Sequence, residues 1–249
     1  MPATTTKQQL LTQVYAVLKK KIPASPEPET PHPILEEVLY AILREGVTNA
    51  AADAAFRRIK TGFFDLNEMR VSSVQEVADA LGGLADAGNK AERIVKFLQE
   101  HFERTYTFAL DDLEKKGLKQ AAKQLARYKD HGVSDFVVAW VMQRGLEGHA
   151  IPLDEPTIRC LQRLGALEPE IDDLEATRAT LEHFIPKSTG IDFTDRIIQL
   201  AVEICLPENP RCPECPLLPH CPTGQARVAG IAKDPAGLAK DPKAKPKSR

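Results

Sequence analysis

The chain is expected to be all-α. Three observations carry that expectation. Apolar residues recur at three- and four-residue spacing along most of the length. No run of alternating β-branched residues closes on a hairpin turn. The segments between periodic stretches are short, as in packed helices. At 249 residues, 43% hydrophobic and 27% charged, the composition is globular and sufficient for one large or two modest cores. No apolar run approaches the roughly 20 residues that a membrane span requires.

The elements follow in order. Leu10, Leu11, Val14, Val17 and Leu18 lie at helical spacing between Gln8 and Ile22. PASPEPETPHP cannot continue that helix and reads as a connector. ILEEVLYAILREGV and NAAADAAFRRI resume the period at once. Ser73-x-x-Glu76 before VADAL has the form of a capping box, which predicts a helix start. KAERIVKFLQEHFERTY, LKQAAKQLARY, DFVVAWVMQRGL, EPTIRCLQRLGAL, DLEATRATLEHFI and TDRIIQLAVEIC complete the helical series.

The net charge of −2 conceals an asymmetry. After Cys221 there are seven basic residues against two acidic ones, a net +5, so the remainder carries about −7. Bulk charge therefore does not mark the body as a nucleic-acid binder, and such a role must rest on a local basic surface. Residues 223–249 repeat AKDP and lack aromatic residues, which predicts a disordered basic tail. Its plain reading is a solvated tail, and its sharper one is an electrostatic arm for nucleic acid.

Four of the five cysteines, Cys205, Cys212, Cys215 and Cys221, fall within seventeen residues at the spacing Cys-x6-Cys-x2-Cys-x5-Cys. MPATTTKQQ has no apolar secretion core, so a reducing cytoplasm is expected and two disulfides are disfavoured. A zinc site of four cysteines usually uses two Cys-x2-Cys knuckles, and one is present. A [4Fe–4S] cluster accepts four thiolates at unequal spacing within a compact loop, and is the preferred reading. Pro213, Pro216 and Pro222 each follow a cysteine and stiffen the loop. Cys160 reads as a buried core thiol.

This spacing, closing a helical chain, resembles the iron–sulfur loop of the endonuclease III family of helix-hairpin-helix DNA glycosylases. A second stretch supports the resemblance. The family's Leu-Pro-Gly-Val-Gly-x-Lys-Thr-Ala hairpin, followed by a helix, an aspartate and Arg-Leu-Gly, matches DHGVSDFVVAWVMQRGLEGHAIPLDEPTIRCLQRLGAL without a gap. Gly132 and Val133 fall on the hairpin, Asp154 on the catalytic aspartate, and Arg163-Leu164-Gly165 on the following helix. GLADAGNKAERI matches a further segment upstream. The resemblance covers roughly residues 31–222.

It implies a two-lobed architecture. Residues 32–148 would form a helical barrel lobe with the hairpin. Residues 7–31 with 149–222 would form the iron–sulfur lobe. Double-stranded DNA, damaged or mismatched, would lie between them on a monomer with no membrane association, in the cytoplasm or on the nucleoid of a bacterium. Gly132, Val133 and Ser134 would meet a phosphate, where backbone N–H groups and a helix N-terminus favour an anion. Arg211, between two cluster ligands, would meet another. Asp154 would assist base removal, although an N-cap role fits it equally well.

The departures from the pattern narrow the chemistry. Phe136 stands where bifunctional members carry a lysine, and a phenyl ring cannot form a Schiff base. Ser134 replaces the hairpin's second glycine, Glu155 follows the aspartate, and Gly46 stands where members place a gap-filling glutamine. The expectation is a monofunctional glycosylase using Asp154 and water, unless a lysine such as Lys129 substitutes. The alternative is a non-catalytic DNA-binding or lesion-sensing relative. A third reading is a redox protein built on the cluster.

Overall fold

The computed structural model describes residues 6–25 and 32–230. Among these residues every regular element is helical. In chain order they are α1 (Lys7–Lys21), α2 (Ile34–Arg44), α3 (Asn49–Gly62), α4 (Leu66–Val71), α5 (Val74–Ala80), α6 (Ala87–Thr105), α7 (Leu118–Ala126), α8 (Asp135–Arg144), α9 (Glu155–Arg163), α10 (Leu174–Phe184), α11 (Lys187–Glu203) and α12 (Pro222–Val228). Short 3-10 turns occur at Lys129–His131, Cys212–Glu214 and Leu218–His220, among others. No described helix is long and apolar enough to cross a membrane.

The helices start where local chemistry supplies an acceptor for their free N–H groups. Thr6 and Gln9 form a capping box at α1. Ser73 and Glu76 form the one expected from the sequence, with Glu76 Oε2 accepting from the Ser73 amide at 2.8 Å. Thr48, Asp65, Ser134, Asp154 and Asp173 cap α3, α4, α8, α9 and α10 with their side chains.

The closest helix–helix contacts fall into two groups within one continuous hydrophobic core. α2 packs on α3, α6 and α8, α6 packs on α4 and α5, and α7 packs on α8. α11 packs on α1 and α9, and α12 returns to α9. Val38, Leu39, Ile42, Ile94, Phe97, Val137 and Trp140 form the centre of the first group. Leu11, Val14, Leu18, Leu161, Phe193 and Ile197 form the second. Each such side chain contributes roughly 1.5–3 kcal/mol on burial.

Polar bonds tie the groups together. Arg144 at the end of α8 pairs with the buried carboxylate of Asp195 on α11. Gln143 donates to Thr194 Oγ1 at 3.2 Å and to the Ala150 carbonyl at 2.6 Å. Buried polar groups of this kind are costly unless paired, so they select one arrangement of the helices.

Two sequence expectations meet the limits of the described residues. The proline-rich connector lies partly outside them, at 26–31. Most of the predicted basic tail, 231–249, lies outside as well. The first residues of that segment differ from the expectation, because Pro222–Val228 forms α12. Pro222 in the first turn favours a helix start, and Gly224 is buried between Leu218 and Cys221.

Candidate functional site

The hairpin joins the turn Lys129–His131 to α8. Its glycine is required by geometry. Gly132 has φ +100°, and a Cβ there would lie 2.4 Å from the Arg93 carbonyl oxygen on α6. Arg93 Nε donates to the Gly132 carbonyl at 2.9 Å, locking the close approach. Ser134 caps α8, its Oγ accepting from the Val137 amide at 3.3 Å.

Three hairpin residues were expected to meet phosphate, and their surroundings differ. Val133 has a fully buried side chain, and its N–H is bound to the Tyr128 carbonyl at 3.1 Å, so it packs the turn. The N–H groups of Gly132 and Ser134 have no acceptor among the described residues. Lys129 is exposed and pairs with Asp135 at 3.1 Å, on the surface of the hairpin.

Asp154 lies at the start of α9 and is 3% exposed. Its Oδ1 accepts from the Thr157 amide at 2.9 Å, the expected N-cap bond. Its Oδ2 accepts from the Gly46 amide at 3.0 Å, across the helical groups. The residue at the family's lysine position, Phe136, is 2% exposed and packs on Trp140 with ring centroids 5.7 Å apart. Around them lie groups with no short-range sequence signal. Arg44, fully buried, donates to the Val47 carbonyl and to Asn49 Oδ1 and lies over Trp140. Trp140 Nε1 donates to Glu37 Oε1 at 2.6 Å.

Lys90 closes the C-terminal end of α2. Its ammonium donates to the carbonyls of Ile42, Leu43 and Glu45 at 2.9, 3.1 and 2.5 Å. Burial pulls its pKa down to about 8, against the opposing pull of the Glu45 carboxylate. This lysine supplies the caps that the last carbonyls of α2 lack.

The cysteine loop folds back onto α9. Cys205, Cys212, Cys215 and Cys221 line one cavity, beside Arg163 and Gly224. Arg163 donates to Cys205 Sγ at 3.5 Å, to the Leu206 carbonyl at 2.7 Å and to the Pro207 carbonyl at 3.0 Å. Arg159 donates to the Cys205 carbonyl at 3.3 Å. The Gly224 amide donates to Cys221 Sγ at 3.3 Å. Cys160 is buried, as expected.

Hydrogen bonding from Cys160 and then from Arg163 lowers Cys205 to about 6, against desolvation. Burial first, and then the neighbouring sulfurs, raise Cys215 to about 11 and raise Cys221. Several thiols facing one cavity repel as thiolates, and a bound cationic centre reverses that balance. Among the described residues no three His, Cys, Asp or Glu side chains are gathered to hold a single metal ion. The donor set fits a group bound by four separate thiolates. Arg211 lies on the same loop, exposed, 3.9 Å from Glu214.

Fold and site together define a helix-hairpin-helix protein closed by a four-cysteine loop. No family model matches the chain. It is 24% identical over 229 residues to endonuclease III of Thermotoga maritima, covering 90% of this chain and 98% of that protein. Its fold matches that of a non-covalent endonuclease III–DNA complex with a TM-score of 0.68 at 22% identity, over 91% of this chain and all of the other. A thermostable thymine-DNA glycosylase matches with a TM-score of 0.59 at 16% identity, over 88% and 97%. The chain is thus similar in sequence to an endonuclease III over nearly its whole length and shares the fold of the endonuclease III–DNA complexes.

Proposed function

We propose that this chain is a DNA glycosylase that removes a damaged or mismatched base from double-stranded DNA by a monofunctional route. The observation that carries the reading is the placement of Asp154. It caps α9 with one oxygen, while the other reaches the turn after α2, beside the hairpin. Sequence likeness to an endonuclease III over nearly the whole chain supports the class of activity.

DNA would be held through phosphate contacts. The free amides of Gly132 and Ser134 at the start of α8 offer an anion site, and Arg211 offers a second, cationic contact. Such contacts position the duplex without reading its sequence. The target base leaves the stack, because its glycosidic bond is shielded in the duplex. As that bond breaks, the electron pair departs with the base and positive charge grows on the sugar. The Asp154 carboxylate stabilises that charge and accepts the proton of the water that adds to the same carbon. Phe136 offers no amine, so no covalent Schiff base forms at that position.

Cys205, Cys212, Cys215 and Cys221 would hold a [4Fe–4S] cluster. When bound, it cross-links the loop through four thiolates and so fixes Arg211. The protein would act as a monomer in the compartment that holds the DNA.

The test is release of free base from duplexes bearing a panel of lesions, at enzyme excess. No release from any lesion counts against catalysis. Borohydride trapping on abasic DNA should give no covalent adduct.

A second reading has its own support. Asp154 has both oxygens on amide donors and is 3% exposed, and Phe136 fills the lysine position with apolar bulk. A non-catalytic DNA-binding or lesion-sensing protein fits those features. It is distinguished by DNA binding that weakens with salt, with no base release and no effect of Asp154→Asn on either.

A further inference from the structure

The turn between α2 and α3 connects groups that the proposed function leaves separate. Glu45 Oε2 accepts from Ser134 Oγ at 2.9 Å and from Arg93 Nη2 at 2.6 Å. Arg93 Nε also holds the Gly132 carbonyl, so the hairpin is anchored on both sides of Val133. The main-chain oxygen of Glu45 accepts from Lys90 Nζ. The next residue is Gly46, at φ +75°, whose amide donates to Asp154 Oδ2.

Gly46 has no side chain to anchor it, and a Cβ there would touch nothing within 4 Å. The direction of its N–H is therefore set by its neighbours. Glu45 supplies two of those anchors through one carboxylate oxygen. Its bond to Arg93 is charge-assisted and partly shielded from water, with side chains 24% and 19% exposed.

We propose that Glu45 is a positioning residue for Asp154, acting through the Gly46 amide and linking the carboxylate to the state of the hairpin. The link rests on the proposed function in one respect, that a phosphate meets the hairpin. An arriving phosphate competes with the Glu45 carboxylate for the same two donors, the Ser134 hydroxyl and the Arg93 guanidinium. When Glu45 loses them, the turn relaxes, the Gly46 N–H leaves Oδ2, and that oxygen becomes free for water. DNA binding at one lobe would then ready the carboxylate at the other.

The test is residue-specific amide hydrogen exchange and amide NMR on the full chain. In Glu45→Ala the Gly46 amide should exchange about tenfold faster, while Ile94 and Phe97 in α6 keep their rates. Glu45→Gln keeps an acceptor without the charge and should fall between. An unchanged Gly46 rate overturns the proposal, as does uniform acceleration across α6, α8 and α11. In a second arm a short undamaged duplex is added. The Ser134 and Gly46 resonances should move together in the native chain, and Ser134 alone in Glu45→Ala. If Ser134 moves alone in the native chain, the link is overturned and the hairpin contact stands. If neither moves, the hairpin contact and the link both fail, while base release is decided separately by its own assay.

Discussion

The Gly46 amide donates to Asp154 Oδ2 at 3.0 Å, joining residues 108 positions apart. Asp154 is thus more than the cap of α9. One oxygen belongs to its own helix and the other to the turn after α2. The carboxylate is held by two main-chain donors, which fixes its orientation and gives it the local positive field that a buried anion needs.

That arrangement separates two effects of substitution. Asp154→Asn keeps one acceptor for the N-cap but turns its NH2 toward the Gly46 amide, and should cost on the order of 1–2 kcal/mol, less than Asp154→Ala. Base release should be lost in the same variant. Asp154→Ala removes the cap and leaves the Gly46 amide unpaired, and should cost on the order of 2–3 kcal/mol in a urea titration. Base release by Asp154→Asn at the native rate would remove Asp154 from the chemistry.

The hairpin glycine gives a purely structural prediction. Gly132→Ala places a methyl 2.4 Å from the Arg93 carbonyl oxygen at φ +100°. The strain should destabilise the chain by about 1–3 kcal/mol or more, seen as a drop of several degrees in Tm. A native Tm would mean that α6 and the hairpin separate easily, contrary to the Arg93–Gly132 bond.

Arg163 should govern retention of the proposed iron–sulfur group. Its guanidinium holds Cys205 Sγ and the next two carbonyls. Arg163→Met should purify with less iron and weaker absorbance near about 400 nm than the native protein. Its exposed loop neighbour gives the control, since Arg211→Met should retain the group and lose affinity for DNA. Stoichiometric zinc in a colourless native protein would overturn the proposed four-thiolate cluster itself.

Lys90 makes stability depend on alkaline pH. Its folded pKa is near 8 and its ordinary value is 10.5. Between those values the unfolded chain holds more protons, so the contribution of Lys90 to stability increases as pH rises through the window. The advantage of the native chain over Lys90→Met in urea should therefore widen between pH 8 and 10. Parallel pH profiles for the two chains would show that the ammonium is not desolvated.

The sequence by itself determined the helices, because each is set by apolar spacing and by capping residues a few positions away. Ser73 with Glu76 and Asp154 before Pro156 are local signals of this kind, and both caps form. It also determined the cysteine loop, whose spacing is short enough for chain geometry to bring four sulfurs to one cavity. The tertiary structure decided what those elements do to one another. Glu45 is an ordinary charged residue at a helix end until α6 and α8 bring Arg93 and Ser134 to it. Phe136 is a missing lysine in the sequence but a core ring in the fold. Val133 reads as a hairpin contact, yet its amide is already bound to Tyr128. Hydrogen bonds between distant residues depend on sub-ångström placement by packed helices, and no periodicity along the chain encodes that.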